Sequence, residues 1–362
     1  MFIKKPLSQT ERRIVQVPAS LQLPLKRPRS RFFSLFWLFS IFCGCVWLII
    51  ESISPNQPKS TEPPKFYSNQ AQQDLRLTLV DAIRKASQSI HLVMFGLSDT
   101  AILNALSHKT IPTSIYYDPN GTPNLWSVLP DADLHPVHSY GLMHQKILIC
   151  DRETIFIGSA NMTTASLTMH DNLVIGLKSQ KIAQFLIEKS PKSPGYLRAM
   201  VGGQDVEIWL LPDPRGHALQ DLRRKIRSAR ESLKIALFTF THPALIDEVV
   251  DAQKRGVAVT LILDMHSSLG ASNTAMERIK KCGAHVLQSQ GLQLLHHKFI
   301  LIDDQTFVTG SANWTKAAFY KNSDCILVIH QLNDTQKTFM DRLWHRLTSE
   351  SRPMPHKERR RT

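Results

Sequence analysis

Two stretches of the chain carry the side chains best suited to chemistry. His144 to Asn161 reads HQKILICDRETIFIGSAN, and His296 to Asn313 reads HHKFILIDDQTFVTGSAN. Each places Lys two residues after His (Lys146, Lys298) and Asp five residues further on (Asp151, Asp303), then reaches Gly-Ser-Ala-Asn in the same register. A single His-x-Lys-x4-Asp match is weak, because three common residue types fall into that spacing by chance. Two copies, each followed by the same four residues, are not an accident of composition.

The apolar, β-branched filling of each block suggests a buried strand, on which residues two apart share a face. His144 therefore lies beside Lys146, and His296 beside Lys298. Further strands at Thr154–Ile157 and Thr306–Thr309 lead to a second same-face pair in each block, Ser159 with Asn161 and Ser311 with Asn313. Imidazole, ammonium, hydroxyl and carboxamide on one surface suit a phosphodiester. Cations and neutral donors stabilise the charge that grows on its oxygens during displacement. One imidazole attacks phosphorus to give a phosphohistidine, and a second protonates the departing oxygen. Histidine is the side chain whose ordinary pKa permits both roles near neutrality. Taken singly, either histidine reads more simply as a satisfied core residue; the pair does not. A metal site is the other reading of His plus Asp, but Lys is not a usual ligand and neither block has zinc-binding spacing. No metal and no cofactor is expected.

The paired blocks resemble the signature of the phospholipase D superfamily, over about residues 65 to 350. The resemblance implies that His144 is the nucleophile and His296 the general acid that later activates water. It implies that Lys146, Lys298, Asn161 and Asn313 hold the phosphate oxygens, with Ser159 and Ser311 beside them. The motif aspartates Asp151 and Asp303 count with the catalytic set, although in this family they more often brace the block than touch substrate. An acidic residue downstream orients each histidine in the family; Asp171 (HDNLVI) and Asp324 (SDCILVI) sit at matching places, where Glu is the commoner choice.

The elements around the blocks repeat as well. An amphipathic helix over Gln73–Ser87 precedes a strand over Ile90–Phe95. In the second half come a strand over Val206–Leu211, a helix over Leu219–Ser232 and a strand over Lys234–Phe240. QSIHLVMF, ending at Phe95, aligns with ESLKIALF, ending at Phe238, so the duplication spans whole domains. Strands alternating with helices predict an α/β fold. In the family, the two α-β-α sandwich halves pack about a pseudo-twofold axis, so one chain holds a complete site without an obligate dimer. The expected order is a basic tail (1–31), a transmembrane helix (32–50), a Pro-rich linker (51–65), a first half (66–200), a second half (201–350) and a basic tail (351–362). Residues 119–135 and 266–276 are read as substrate-selecting loops, the former with an apolar patch at Leu125, Trp126, Val128 and Leu129.

The formal charge of +14 is concentrated at the ends: +7 lies in residues 1–31 and +4 in 352–362. The body between them is almost neutral, which weakens a nucleic-acid reading. Phe32 to Ile50 is free of charge and long enough to cross a bilayer as a helix. Its basic flank places the N-terminus in the cytoplasm and the catalytic region outside it; secretion after signal cleavage is the alternative. Cys43 and Cys45 lie in that segment, and Cys150, Cys282 and Cys325 form no disulfide framework. Asn-x-Thr triplets at Asn161 and Asn313 fall inside the blocks, where a glycan would obstruct the site. The expected activity is phospholipid hydrolysis with release of phosphatidic acid. A nuclease of the same mechanism, a phosphatidyl transferase of cardiolipin-synthase type and a catalytically silent membrane adaptor are the alternatives.

Overall fold

The computed structural model describes residues 36–46, 55–290 and 293–353. The chain divides into two units, residues 1–54 and 55–362. In the first, residues 36–46 form a helix, α1, with exposed apolar side chains such as Phe36, Trp37 and Phe42. Among the described residues no helix is long and apolar enough to cross a membrane. The basic tail 1–31, the rest of the expected transmembrane helix 32–50 and residues 354–362 lie outside the described residues.

The second unit contains two sheets. The first has seven strands among the described residues: β1 (Lys65–Tyr67), β2 (Ile90–Met94), β3 (Thr113–Tyr117), β4 (Asp133–Pro136), β5 (Lys146–Cys150), β6 (Thr154–Gly158) and β7 (Val174–Lys178), in the order β1-β7-β6-β5-β2-β3-β4. The second has nine: β8 (Gly195–Val201), β9 (Gln204–Leu210), β10 (Ser232–Leu237), β11 (Ala258–Leu263), β12 (His285–Ser289), β13 (Lys298–Ile302), β14 (Thr306–Gly310), β15 (Cys325–Ile329) and β16 (Ser351–Pro353), in the order β16-β12-β11-β10-β13-β14-β15-β9-β8. The two orders match strand for strand through the repeat. In each, three parallel strands (β2-β3-β4, β10-β11-β12) adjoin an antiparallel run that begins with the motif strand, β5 or β13.

Side-chain parity sorts the strands into layers. On β5, Ile147 and Ile149 face a core shared with the second sheet, while Leu148 and Cys150 face the opposite side. On β13, Phe299 and Leu301 enter the same shared core, and Ile300 and Ile302 turn away from it. Helices α5 (Gln180–Lys189) and α11 (Asp334–Ser349) also bury Ile182, Leu186, Phe339 and Leu343 in the shared core. Helices α2 (Leu75–Lys85) and α3 (Thr100–Ser107) cover the outer face of the first sheet. Helices α6 (His217–Ser228), α7 (Pro243–Lys254) and α9 (Asn273–Lys281) cover that of the second. Because both faces of each sheet are covered, β2, β5 and β13 are buried along their whole length and read as continuous apolar runs. Each fully buried Ile or Phe there stabilises the fold by about 1.5–3 kcal/mol. The α/β class is as expected, but the two sandwiches share their middle layer.

Three boundaries differ from expectation. β8 pairs with β9, so Gly195–Val201 joins the second sheet, although residues up to 200 were expected in the first half. β16 pairs with β12, so the segment 351–362 opens as a strand where a tail was expected. Residues 266–276 are largely helical, in α8 (Met265–Leu269) and the start of α9, because Asp264 caps α8 by accepting from the Ser267 N–H. The 119–135 patch divides: Leu125 and Leu129 are buried, and Trp126 and Val128 are exposed.

Candidate active site

Both motif strands start at their lysine. Lys146 is in register with Met94 at the end of β2, and Lys298 with Leu237 at the end of β10. This brings the histidine and lysine of each block to the edge of a buried sheet, where the next residue of the neighbouring strand is aromatic. Lys146 Nζ sits 5.1 Å from the centroid of Phe95, and Lys298 Nζ 5.3 Å from that of Phe238. The rings of His144 and His296 lie 5.5 and 5.2 Å from the same two phenylalanines. Each lysine donates to the carbonyl of its own block's histidine, at 2.6 Å (Lys146 to His144) and 2.9 Å (Lys298 to His296).

The halves are joined across the site by two reciprocal bridges. Met143, just before His144, pairs with Ser323, and Leu295, just before His296, pairs with Asp171. The His144 N–H donates to the Ser323 carbonyl at 2.8 Å and the His296 N–H to the Asp171 carbonyl at 3.0 Å. The residue after each bridge partner then meets the opposite imidazole. Asp324 Oδ1 lies 2.8 Å from His144 Nδ1, and Asn172 Oδ1 lies 3.0 Å from His296 Nδ1. Each half therefore orients the histidine of the other.

Burial and like charge dominate the electrostatics. Burial pushes the Lys146 ammonium down to about 7, against the attraction of Asp324. Burial and the neighbouring Lys146 hold Lys298 well below its ordinary value. His296 is driven well below the usual histidine range by burial and by the Lys298 and Lys146 ammonium groups. His144 is lowered by burial and by Lys146, while Asp324 pulls the other way. Burial opposes ionisation of Asp324, but His144 and the Ser311 hydroxyl outweigh it and keep its carboxyl below the usual range. Lys146 and Lys298, one from each half, repel each other and form one electropositive site, and an anion entering it relieves their repulsion.

The other motif residues divide into two groups. Asn161 and Asn313 are half-buried, and their amide oxygens have no hydrogen-bond partner among the described residues. Both side chains remain available to a substrate. Ser159 and Ser311 are fully buried and committed elsewhere: their hydroxyls donate to Asn172 Oδ1 at 2.8 Å and Asp324 Oδ1 at 2.7 Å. The glycine before each serine permits this approach, since a Cβ at Gly158 would stand 2.2 Å from the Leu173 carbonyl oxygen and one at Gly310 2.3 Å from that of Cys325. Asp151 and Asp303 lie at the opposite ends of β5 and β13 from the histidines. Asp151 accepts from the backbone N–H groups of Ser87, Gln88 and Ser89, and Asp303 from those of Arg230, Glu231 and Ser232.

Residues 126–190 and 222–345 match the family model described as cardiolipin synthase, PLD-like domain, over more than half of the chain. The chain belongs to the phospholipase D superfamily. It is 34% identical to the mouse mitochondrial cardiolipin hydrolase over 133 residues, 35% of this chain and 58% of the mouse protein. It is 30% identical to a Rickettsia bellii phospholipase D over 150 residues, 41% of this chain and 73% of that protein. The chain spans about half the length of the mitochondrial relatives it matches. The solved phosphatidylserine synthase of Haemophilus influenzae shares the fold, with a TM-score of 0.61 over 84% of this chain and 91% of that one, at 13% identity.

Within this phospholipase D-like chain, several sequence expectations need correction. Asp171 does not orient His296: its backbone carbonyl takes the His296 N–H, while its side chain faces the Gln293 amide and is pushed up to about 7 by burial. Asn172 holds that place. Asn172 and Asp324 each lie thirteen residues after Ser159 and Ser311, and a shift of one along an extended chain turns the Asp171 side chain to the other face. Ser159 and Ser311 serve the orienting residues and not substrate oxygens. Asp151 and Asp303 brace the far strand ends and stay out of the site. Phe95 and Phe238 were not singled out, although the alignment of the two halves ends on both.

Proposed function

We propose that this chain is a phosphodiesterase that hydrolyses phospholipids, with a phosphohistidine intermediate and phosphatidic acid as product. The arrangement that supports it is the pair of buried imidazoles, each held at Nδ1 by an acceptor from the other half and each flanked by a buried lysine. Holding Nδ1 leaves Nε2 of both rings for substrate. One Nε2 forms the bond to phosphorus and the other delivers a proton to the leaving oxygen. Water then gives a proton back to the second imidazole as its oxygen bonds to phosphorus, and the N–P bond breaks to release phosphatidic acid. Lys146, Lys298, Asn161 and Asn313 receive the non-bridging oxygens.

Lipid is favoured over nucleic acid by three observations. The body carries little net charge outside the terminal tails. Tyr140, Leu142, Met169 and Tyr320, each close in sequence to a site residue, are exposed apolar side chains suited to a bilayer surface. The relatives above are named for cardiolipin hydrolysis and phospholipase D activity. The uncharged segment 32–50 serves in this proposal as a single-pass anchor, with the N-terminus cytoplasmic and the catalytic body on the other side.

The test supplies the full chain with labelled phospholipid vesicles and, in parallel, labelled single-stranded DNA and RNA. Phosphatidic acid released by the wild type and absent with His144→Ala supports the lipid reading. Cleaved nucleic acid with intact vesicles replaces it by a nuclease, and transfer of the phosphatidyl group to an added alcohol in preference to water replaces it by a synthase. Protease protection of the C-terminal body in sealed membranes tests the orientation.

A further inference from the structure

The inner faces of the two parallel runs, β2-β3-β4 and β10-β11-β12, are not covered alike. α11 has 16 residues, whereas α5 has 10. In the second half, Ile262 and Leu287 lie in the shared core with Leu343 and Leu347 of α11. The register puts Tyr116 and His135 at the same two positions of the first half. Their rings stack at 4.5 Å. Beside Ile187 in the shorter α5 and Lys192 just beyond it, a cavity of about 690 Å³ is left over Tyr116.

Charge is distributed just as unequally. In the second half Lys234 is held by Asp304 at 2.8 Å, with Asp341 of α11 at 3.8 Å. His91 takes the place of Lys234 in the first half, and Arg152 that of Asp304 after the motif strand. Both line the cavity. His91 is 8% exposed, and its Nε2 has no hydrogen-bond partner among the described residues. Burial, and then the Lys192 ammonium, push its pKa down to about 4, so near neutrality it is an uncharged donor. Lys192 Nζ lies 5.1 Å from the Tyr116 centroid, and the Arg152 side chain makes no ion pair or hydrogen bond among the described residues. Two carboxylates border the same cavity: Asp133 is engaged by His135 Nε2 at 2.7 Å, and Asp131 is exposed. Neither pairs with Arg152 or Lys192 among the described residues. The second half closes carboxylates on its cation, while the first gathers two cations and an unpartnered imidazole with no anion on them.

We propose that this cavity is a second ligand site, separate from the catalytic one, and that it takes a phosphate monoester carried on a polyol body. The Arg152 guanidinium offers a planar fork to two phosphate oxygens, Lys192 a mobile point charge, and His91 a neutral ring N–H. The hydroxyls of Ser89 and Ser114, which also line the cavity, face the body. The volume is in the ordinary range for a small-molecule site and exceeds what a bare phosphate fills. Soluble glycerol phosphate and the headgroup of phosphatidic acid both carry this chemistry. None of these residues belongs to the catalytic set, so the site stands whether or not the chain hydrolyses phospholipids.

The test is calorimetric titration of the solubilised full chain with glycerol 3-phosphate and, in parallel, with dihexanoyl phosphatidic acid. It is run on Lys298→Met, which removes a cation from the catalytic site. Saturable binding of either probe is expected, and adding Arg152→Gln and Lys192→Gln should weaken it by about tenfold or more. The tighter probe tells the soluble source from the lipid one. Both replaced side chains are exposed, so the fold stays intact, and the same pair of replacements in the wild type should leave turnover unchanged. Inorganic phosphate, without the body, should bind about tenfold more weakly. A second readout follows the His91 ring by NMR, with His91→Gln identifying its resonance. A bound anion favours the charged imidazole, so the pKa should rise from about 4 when the probe is added. No binding of either probe, binding indifferent to Arg152 and Lys192, inorganic phosphate binding as tightly as the esters, or an unmoved His91 titration each overturns the proposal.

Discussion

Asp324 accepts a hydrogen bond from His144 Nδ1 at 2.8 Å although 180 residues separate them in the chain. The bond spans the two halves, so neither block of the repeat is a working unit by itself. Asp324→Asn keeps the shape of this contact and removes its charge. Turnover should fall by about 10²–10⁴-fold, the range seen when the carboxylate partner of a catalytic histidine is neutralised. The measurement is kcat with circular dichroism as a control for folding. Retention of more than half the wild-type rate would show that the carboxylate is not needed.

The motif aspartates should behave oppositely. Asp303→Ala removes the acceptor of three backbone N–H groups, two of which water can then reach, which costs about 1–2 kcal/mol, while the rate per folded molecule stays near that of the wild type. Denaturant unfolding and active-site titration separate the two quantities. Burial opposes the charge on Asp303, but the Ser232, Glu231 and Arg230 N–H groups outweigh it and hold its carboxyl below the ordinary range. Its folded pKa is thus lower than its unfolded one. The stabilisation is complete above the unfolded value of about 3.9 and is lost as pH falls through the folded value. Asp303→Ala should therefore flatten the acid end of the stability profile.

The buried lysines are costly without substrate. Lys146 is pushed by burial down to about 7, below its unfolded value of about 10.4. Between these values the unfolded chain binds more protons than the folded one, so the stability of the free protein should rise with pH across that window. Lys298→Met should raise the stability of the free protein by about 1–3 kcal/mol while abolishing turnover. Inorganic phosphate or tungstate should raise the melting temperature of the wild type, more strongly at pH 6 than at pH 9, and leave the variant unchanged. A variant less stable than the wild type would contradict this account.

Gly310 has φ +142°, and a Cβ there meets the Cys325 carbonyl oxygen at 2.3 Å. Gly310→Ala should force β14 away from β15 and draw the Ser311 hydroxyl off Asp324. Both stability and turnover should drop, with the rate falling at least tenfold. Hydrogen exchange along β15 gives the structural readout: unchanged protection of Cys325 and Ile326 would dismiss the mechanism.

Chelation tests the absence of a metal requirement. Among the described residues, no group of three or more His, Cys, Asp or Glu is placed to hold a metal ion. EDTA should leave the rate unaltered, and rescue of a chelated enzyme by a divalent cation would argue for a different mechanism.

What could be read along the chain was everything with a fixed local period. The two blocks, the same-face placement of His144 with Lys146 and His296 with Lys298, and the motif strands β5 and β13 follow from two-residue alternation, which is a property of extended backbone alone. The helices of the repeat were legible for the same reason, to within a few residues at their ends. Local period says nothing about where a polar side chain finds its partner. Ser159 and Ser311 looked equivalent to Asn161 and Asn313, yet burial directs the serines to Asn172 and Asp324. Asp171 lies one residue from the position that faces His296, and only the bridge to Leu295 shows which of the neighbours Asp171 and Asn172 turns inward. The sequence by itself determined the fold class, the duplication and the catalytic side-chain types, because these depend on residue identity and spacing. The tertiary structure alone decided that each half orients the histidine of the other, once through a charge and once through an amide, because hydrogen bonds between distant segments depend on how two sheets pack and leave no periodic trace in either.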